Sequence, residues 1–111
     1  MEISEQRQGA VTVVKPGGPL CQAEAEQFAS RLDEVLTRTL GRFVLDASAI
    51  PYVDSVGLES LLRITNDLAE SGRSLRVCSA NETLREVMDL TGLGDRFEFY
   101  EDVNTAVRSF L

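Results

Sequence analysis

Phe43-Val44-Leu45-Asp46, followed after seven intervening residues by Asp54-Ser55-Val56-Gly57-Leu58, is the stretch on which the fold turns. Three apolar residues without a polar break suit a central strand covered on both faces. Asp46 ends that strand. Ile50-Pro51-Tyr52-Val53 then leads to Asp54 and Ser55, residue types that cap helices. Leu58, Leu61, Leu62, Thr65, Leu68 and Ala69 recur at helical spacing. They predict a helix from near Val56 to Gly72 with these residues as its inner stripe. A buried strand feeding a helix is the repeating unit of a parallel α/β sheet.

The same reading extends outward. Toward the N-terminus, Ala25, Phe28, Ala29, Leu32, Val35 and Leu36 line one face of a helix from Gln22 to Leu40, ended by Gly41. Residues 3–15 read as a hairpin turning at Gln8-Gly9, and Pro16-Gly17-Gly18-Pro19 breaks it. Toward the C-terminus, Leu75 to Cys78 predicts a strand. Asn81 caps a helix carrying Leu84, Val87 and Met88 and closed by Gly92. Phe97 to Tyr100 is a short strand. Asp102 caps a last helix with Val103, Ala106, Val107 and Phe110 on one face. The order β-β-α-β-α-β-α-β-α predicts an α/β domain. Its sheet is mostly parallel with an antiparallel N-terminal edge hairpin, and it carries about four helices. In such sheets function sits at the carboxyl ends of the strands.

Composition bounds the chemistry. A chain of 111 residues, 43% hydrophobic, supports one core and one domain. It contains no His, which removes imidazole bases, Ser-His-Asp triads and His-ligated metals. No cofactor or metal is expected, and the chain does not read as an enzyme. The 18 acids outnumber the 11 bases, which disfavours a nucleic-acid surface. No apolar run approaches the ~20 residues of a membrane span, and the first residues lack the order of a signal peptide. A cytoplasmic protein without membrane insertion is expected. Cys21 and Cys78 are far apart in sequence and read as reduced thiols, packed as small buried apolar side chains.

Asp54 and Ser55 fall where a helix presents free N–H groups and a partial positive charge. A phosphate on Ser55 is electrostatically favoured there. Simple capping by Asp54 and Ser55, with Gly57 permitting close packing, accounts for the same residues.

Val44-Leu45-Asp46 with Tyr52-Val53-Asp54-Ser55-Val56-Gly57-Leu58 resembles the signature of STAS domains, and most nearly that of the bacterial anti-sigma factor antagonists. Val77-Cys78-Ser79, Leu84 through Met88, Asp89-Leu90-Thr91-Gly92-Leu93 and Phe97 resemble that family's Phe-Asp-Met-Ser-Gly-Leu…Phe segment. Element order extends the resemblance over essentially the whole chain, a single STAS-like domain at 1–111. The resemblance implies a partner that is an anti-sigma factor and GHKL-type serine kinase. It implies Ser55 as phospho-acceptor, release of the partner on phosphorylation, and a PP2C-type phosphatase that resets the switch. The expected partner-binding residues are Cys21, Asp46, Ser48, Asp54, Ser55, Val56, Gly57, Leu58, Glu59 and Arg63. Glu59, Ser60 and Arg63 form the exposed helix face within this surface, which also includes the 16–22 loop. Phosphate on Ser55 would lie near Asp54 and Asp46 and repel an anionic contact.

Two departures stand out. Gly18-Pro19-Leu20-Cys21 occupies the place of the family's Gly-(Glu/Asp)-Leu-Asp, so the acidic pair is missing. Val56 stands where a second Ser or Thr often follows the phosphoserine. Two rival readings remain. One is a non-switching STAS subunit docking to a lipid ABC transporter or another assembly. The other is receiver-type chemistry with Asp46 and Asp54 as a Mg²⁺ pair. Residues 10–21 contain no acid and the single Lys is Lys15, which disfavours the receiver.

Overall fold

In the computed structural model, which describes residues 1–111, β1 (Ile3–Gln8) and β2 (Val11–Pro16) form the expected antiparallel hairpin. Its two-residue turn is Gly9-Ala10, and Gly9 supplies the left-handed φ of 63° that such turns need. The rest of the chain alternates as read. Helix α1 is Gln22–Thr39, β3 Phe43–Asp46, α2 Ser55–Ala69, β4 Leu75–Cys78, α3 Glu82–Leu90, β5 Phe97–Tyr100 and α4 Val103–Arg108. A single 3₁₀ turn, Gly94–Arg96, precedes β5.

The sheet order is β1-β2-β3-β4-β5, antiparallel only between β1 and β2. Strand order thus follows chain order. Right-handed crossovers then place all three connecting helices on one face. The core confirms it: Phe28 and Leu32 of α1, Leu61 and Ile64 of α2, and Leu84 and Met88 of α3 pack in one cluster with Val14, Leu45 and Val77 of the sheet. The opposite face is covered by α4, whose Ala106 packs with Val11, Val44 and Cys78. Because the strand order never reverses, the ligand crevice of doubly wound sheets has no place to form. What remains at the carboxyl ends of the strands is a surface of loops.

Several local expectations shift. The buried stripe of α2 is Gly57, Ser60, Leu61, Ile64, Thr65 and Leu68. Leu58 and Leu62 are only half-buried and Ala69 is exposed, so the helix is rotated about one residue from the expected face. The cause is Gly57, which lets α2 lie closer to the chain on one side than a leucine stripe would suggest. Helix α2 also ends at Ala69 rather than Gly72, and the Ser71 N–H turns back to the Leu68 carbonyl. At the end of α1 the left-handed cap is Leu40, with Gly41 following at φ 87°. Asn81 and Asp102 cap α3 and α4 as expected, accepting from the Leu84 and Thr105 N–H groups.

One ionic cluster was not anticipated. Glu5 of β1 accepts from Arg31 at 3.0 Å and Arg38 at 2.6 Å, tying α1 to the edge strand. The Arg38 hydrogen bond, against the opposing effect of burial, holds the Glu5 carboxyl below its ordinary range.

Candidate functional site

Two loops meet at the carboxyl end of the sheet. The chain leaving β2 runs through Gly17-Gly18-Pro19 to Leu20, and the chain leaving β3 arrives at Val53. Leu20 and Val53 form a parallel bridge. The Leu20 N–H donates to the Tyr52 carbonyl at 3.2 Å, and the Asp54 N–H donates to the Leu20 carbonyl at 3.1 Å. These bonds make the two loops a short extra ladder beyond the strands.

Asp54 is the junction of this ladder with both helices. Its Oδ1 accepts the Gly57 N–H at 2.9 Å, capping α2. Its Oδ2 accepts the Gln22 N–H at 3.1 Å, holding the first residue of α1. Cys21 occupies the cap position of α1 but makes no side-chain cap bond. Gln22 has φ 48°, a left-handed conformation unfavourable for a residue with a Cβ. Gly57 is required by contact: a Cβ there would lie 2.2 Å from the Leu20 carbonyl oxygen.

Ser55 follows at the first position of α2 and is exposed. The Ser55 and Val56 N–H groups take no partner within the chain. An anion on the Ser55 side chain would meet the positive end of a 15-residue helix with two free donors.

The other expected contact residues divide. Val56 and Leu58 are half-buried, Glu59 and Arg63 exposed, and Arg63 pairs with Asp33 of α1 at 3.0 Å. Ser60 is not on the exposed face. It is 8% exposed, and its hydroxyl donates to the Val56 carbonyl within α2 at 3.0 Å and lies 3.4 Å from the Ala25 carbonyl of α1. Between α1 and α2 lies an open groove of about 430 Å³, acidic at Glu26, Asp33 and Glu59. Ser48 is exposed, and its N–H donates to Asp46 at 3.0 Å.

Asp46 itself does not join Ser55. It is 8% exposed and pairs in register with Cys78. Strand alternation puts it with Val44 on the face covered by α4, whereas α2 lies on the other. Burial first, then the Asp46 charge, push the Cys78 thiol up to about 11. Cys78 is therefore the buried thiol expected. Cys21 is only half-buried, because it opens α1 on a surface loop.

Sequence reasoning placed the 16–22 loop in this surface but missed the bonds made by the Gln22 N–H and the Leu20 main chain. No residue-type signal marks either, since both act through main-chain groups. It also passed over Tyr52 as a contact residue; it lies three positions before Ser55 and is 52% exposed. An exposed aromatic beside a candidate site is a usable signal.

The chain belongs to the STAS domain family, whose model matches residues 2–106. It is 22% identical over 103 residues to the anti-sigma F factor antagonist of Paenibacillus polymyxa, covering 92% of this chain and 88% of the relative. It is 27% identical over 93 residues to BtrV of Bordetella bronchiseptica, provisionally named an anti-sigma factor antagonist, covering 84% and 80%. The fold is shared with an anti-sigma factor antagonist from Mycobacterium paratuberculosis, at TM-score 0.84 and 23% identity over 97% of this chain and 92% of that one. No helix is long and apolar enough to cross a membrane.

Proposed function

We propose that this chain is a phosphorylation-switched anti-sigma factor antagonist. It binds an anti-sigma factor that is also a GHKL-type serine kinase, through the Leu20–Gln22 and Tyr52–Ser55 loops and the first turns of α2. Phosphorylation of Ser55 releases it, and a PP2C-type phosphatase restores it. The observation that carries the reading is Ser55 itself: an exposed hydroxyl at the start of α2, next to a capping carboxylate and two free N–H groups.

The names of the curated relatives support the antagonist role. The same fold is found in the Bacillus cell fate determinant SpoIIAA solved in its phosphorylated form, at TM-score 0.72. A phosphoserine adds about -1.5 to -2 charges. Set beside Asp54 at a partly desolvated contact, that charge is enough to weaken binding tenfold, which needs only about 1.4 kcal/mol. In this reading the protein acts by binding its partner.

A second reading is favoured by one likeness. The chain also matches a domain of murine Slc26a9, an anion transporter, at TM-score 0.72, covering 18% of that protein. A fixed docking module would use the same helix without a switch. Incubation with ATP and the kinase separates the two. One phosphate should be added, and Ser55→Ala should abolish it. Labelling that survives Ser55→Ala, or maps to Ser48, refutes the assignment.

A further inference from the structure

Glu5 of the edge strand is surrounded by more positive charge than it neutralises. Ile3, Glu5 and Arg7 alternate along the side of β1 that meets α1. Ile3 packs against the main core, and Glu5 takes both Arg31 and Arg38. Arg7 is next in the row and pairs with no carboxylate. Its Nε donates to the Gly9 carbonyl at 3.2 Å, which anchors the guanidinium and leaves its two terminal nitrogens free.

Beside Arg7, the hairpin and the end of α1 frame an open pocket of about 270 Å³. It is lined by Arg7, Ala10, Thr12, Arg38 and Thr39, with no acid among them. Thr12 stands directly opposite Arg7 in the ladder, and its hydroxyl takes no partner within the chain. Thr39 spends its hydroxyl on the Val35 carbonyl. In a chain of net charge -7, two guanidiniums and a free hydroxyl from three elements thus share one pocket. A row of structural ion pairs would set an acid against Arg7. The charged residue that shares the pocket is instead Arg38, and like charges brought together are unfavourable. The negative end of α1 accounts for Arg38 in its last turn, but not for Arg7 on the hairpin. That end is also partly closed. The Leu36 carbonyl accepts the Leu40 and Gly41 N–H groups, and the Thr39 carbonyl accepts the Arg42 N–H.

We propose that this pocket binds a phosphate dianion, free or at the end of a small ester, held by Arg7, Arg38 and Thr12. The guanidiniums of Arg7, Arg31 and Arg38 stand against the one carboxylate of Glu5, which leaves a surplus of two positive charges. A phosphate ester carries about -1.5 to -2 near neutral pH and matches that surplus. Each guanidinium offers N–H pairs in the planar fork that phosphate oxygens accept bidentately. A tetrahedral anion has oxygens enough to meet donors from β1, β2 and α1 together. The pocket lies at the amino ends of β2 and β3, whereas Ser55 lies beyond the carboxyl ends. It is therefore a second site, independent of whether any kinase acts on Ser55.

The test follows the ¹⁵N-labelled full chain by NMR during titration with sodium phosphate, with ionic strength held constant by sodium chloride. The amides of Ala10, Thr12 and Thr39 should shift and saturate, with a Kd on the order of 1 mM, the affinity that a few charge-assisted hydrogen bonds supply. Sodium acetate should not reproduce the shifts. Arg7→Gln should weaken binding at least tenfold, about 1.4 kcal/mol, without altering the rest of the spectrum. Arg7→Lys, which keeps the charge and loses the fork, should recover part of the affinity but not all of it. Arg108→Gln removes the same charge from α4, on the opposite face of the sheet, and should leave phosphate affinity unchanged. Glycerol 3-phosphate is titrated in parallel: tighter binding of the ester identifies an esterified ligand, tighter binding of phosphate a free one, and either supports the site. Shifts that never saturate, that gather at Ser55 and Val56 instead, or that survive Arg7→Gln overturn the proposal. So does an Arg7→Lys variant equal to wild type, which would reduce the pocket to diffuse charge.

Discussion

Gly57→Ala tests the loop junction most directly. In a helix interior Ala is favoured over Gly by up to about 1 kcal/mol, so propensity alone predicts a gain. The geometry predicts the reverse. The new methyl would stand 2.2 Å from the Leu20 carbonyl oxygen and 3.1 Å from its carbon. The obstacle is backbone, so no rotamer change relieves it. An ordinary contact needs about 1 Å more, and the first turn of α2 or the Leu20 loop must move by that amount. Such a shift strains the Leu20–Tyr52, Asp54–Leu20 and Gln22–Asp54 bonds together. At about 1 kcal/mol for each bond lost, the cost reaches roughly 3 kcal/mol. After the propensity gain, a net loss of about 2 kcal/mol remains, or roughly 10 °C in melting temperature for a domain of this size. Thermal and urea unfolding, followed by far-UV circular dichroism, measure it. Gly57→Ala melting within about 2 °C of wild type would show that the tight contact with Leu20 is not what constrains this position.

Four further outcomes are expected. Ser55→Asp should melt within a few degrees of wild type, since an anion at the head of α2 is tolerated, yet bind the anti-sigma kinase at least tenfold more weakly. A Ser55→Asp variant with normal affinity by titration calorimetry argues for fixed docking instead. Glu5→Gln should cost stability at neutral pH, and the cost should fade in acid. The Glu5 carboxyl titrates lower in the folded chain than its ordinary 4.5, so its contribution is full above that value and is lost as pH falls through the folded one. Urea melts of both proteins across that range check the sign. Arg63→Ala should change stability by less than about 1 kcal/mol, because the Asp33 pair is about half exposed on both sides. Finally, a thiol reagent at neutral pH should modify Cys21 in the native protein and reach Cys78 only on unfolding, which intact mass measurement resolves.

Much of this molecule was legible from residue order alone. The apolar run Phe43-Val44-Leu45, the helical spacing in 22–40 and the caps Asp54, Asn81 and Asp102 are local features. Each follows from side chains within a few positions of one another, so period and turn chemistry suffice to read them. Alternation of strands and helices then leaves few topologies, and the short connections select the sheet that was found. The Asp54-Ser55 pair at the start of α2 was visible for the same reason.

Tertiary structure decided what depends on main-chain groups far apart in sequence. The close approach of Gly57 to Leu20 turned α2 about its axis, burying Ser60 and moving Leu58, Leu62 and Ala69 off the core. Side-chain periodicity carries no record of a backbone carbonyl 37 positions away. Asp46 went to the α4 face because strand pleat, not proximity in sequence to Ser55, sets where a side chain points. The second bond of Asp54, to Gln22, required two loops to be brought together by the Leu20–Val53 bridge. Sequence determined which residue caps the helix; only the folded chain decided that its carboxylate would hold two helices at once.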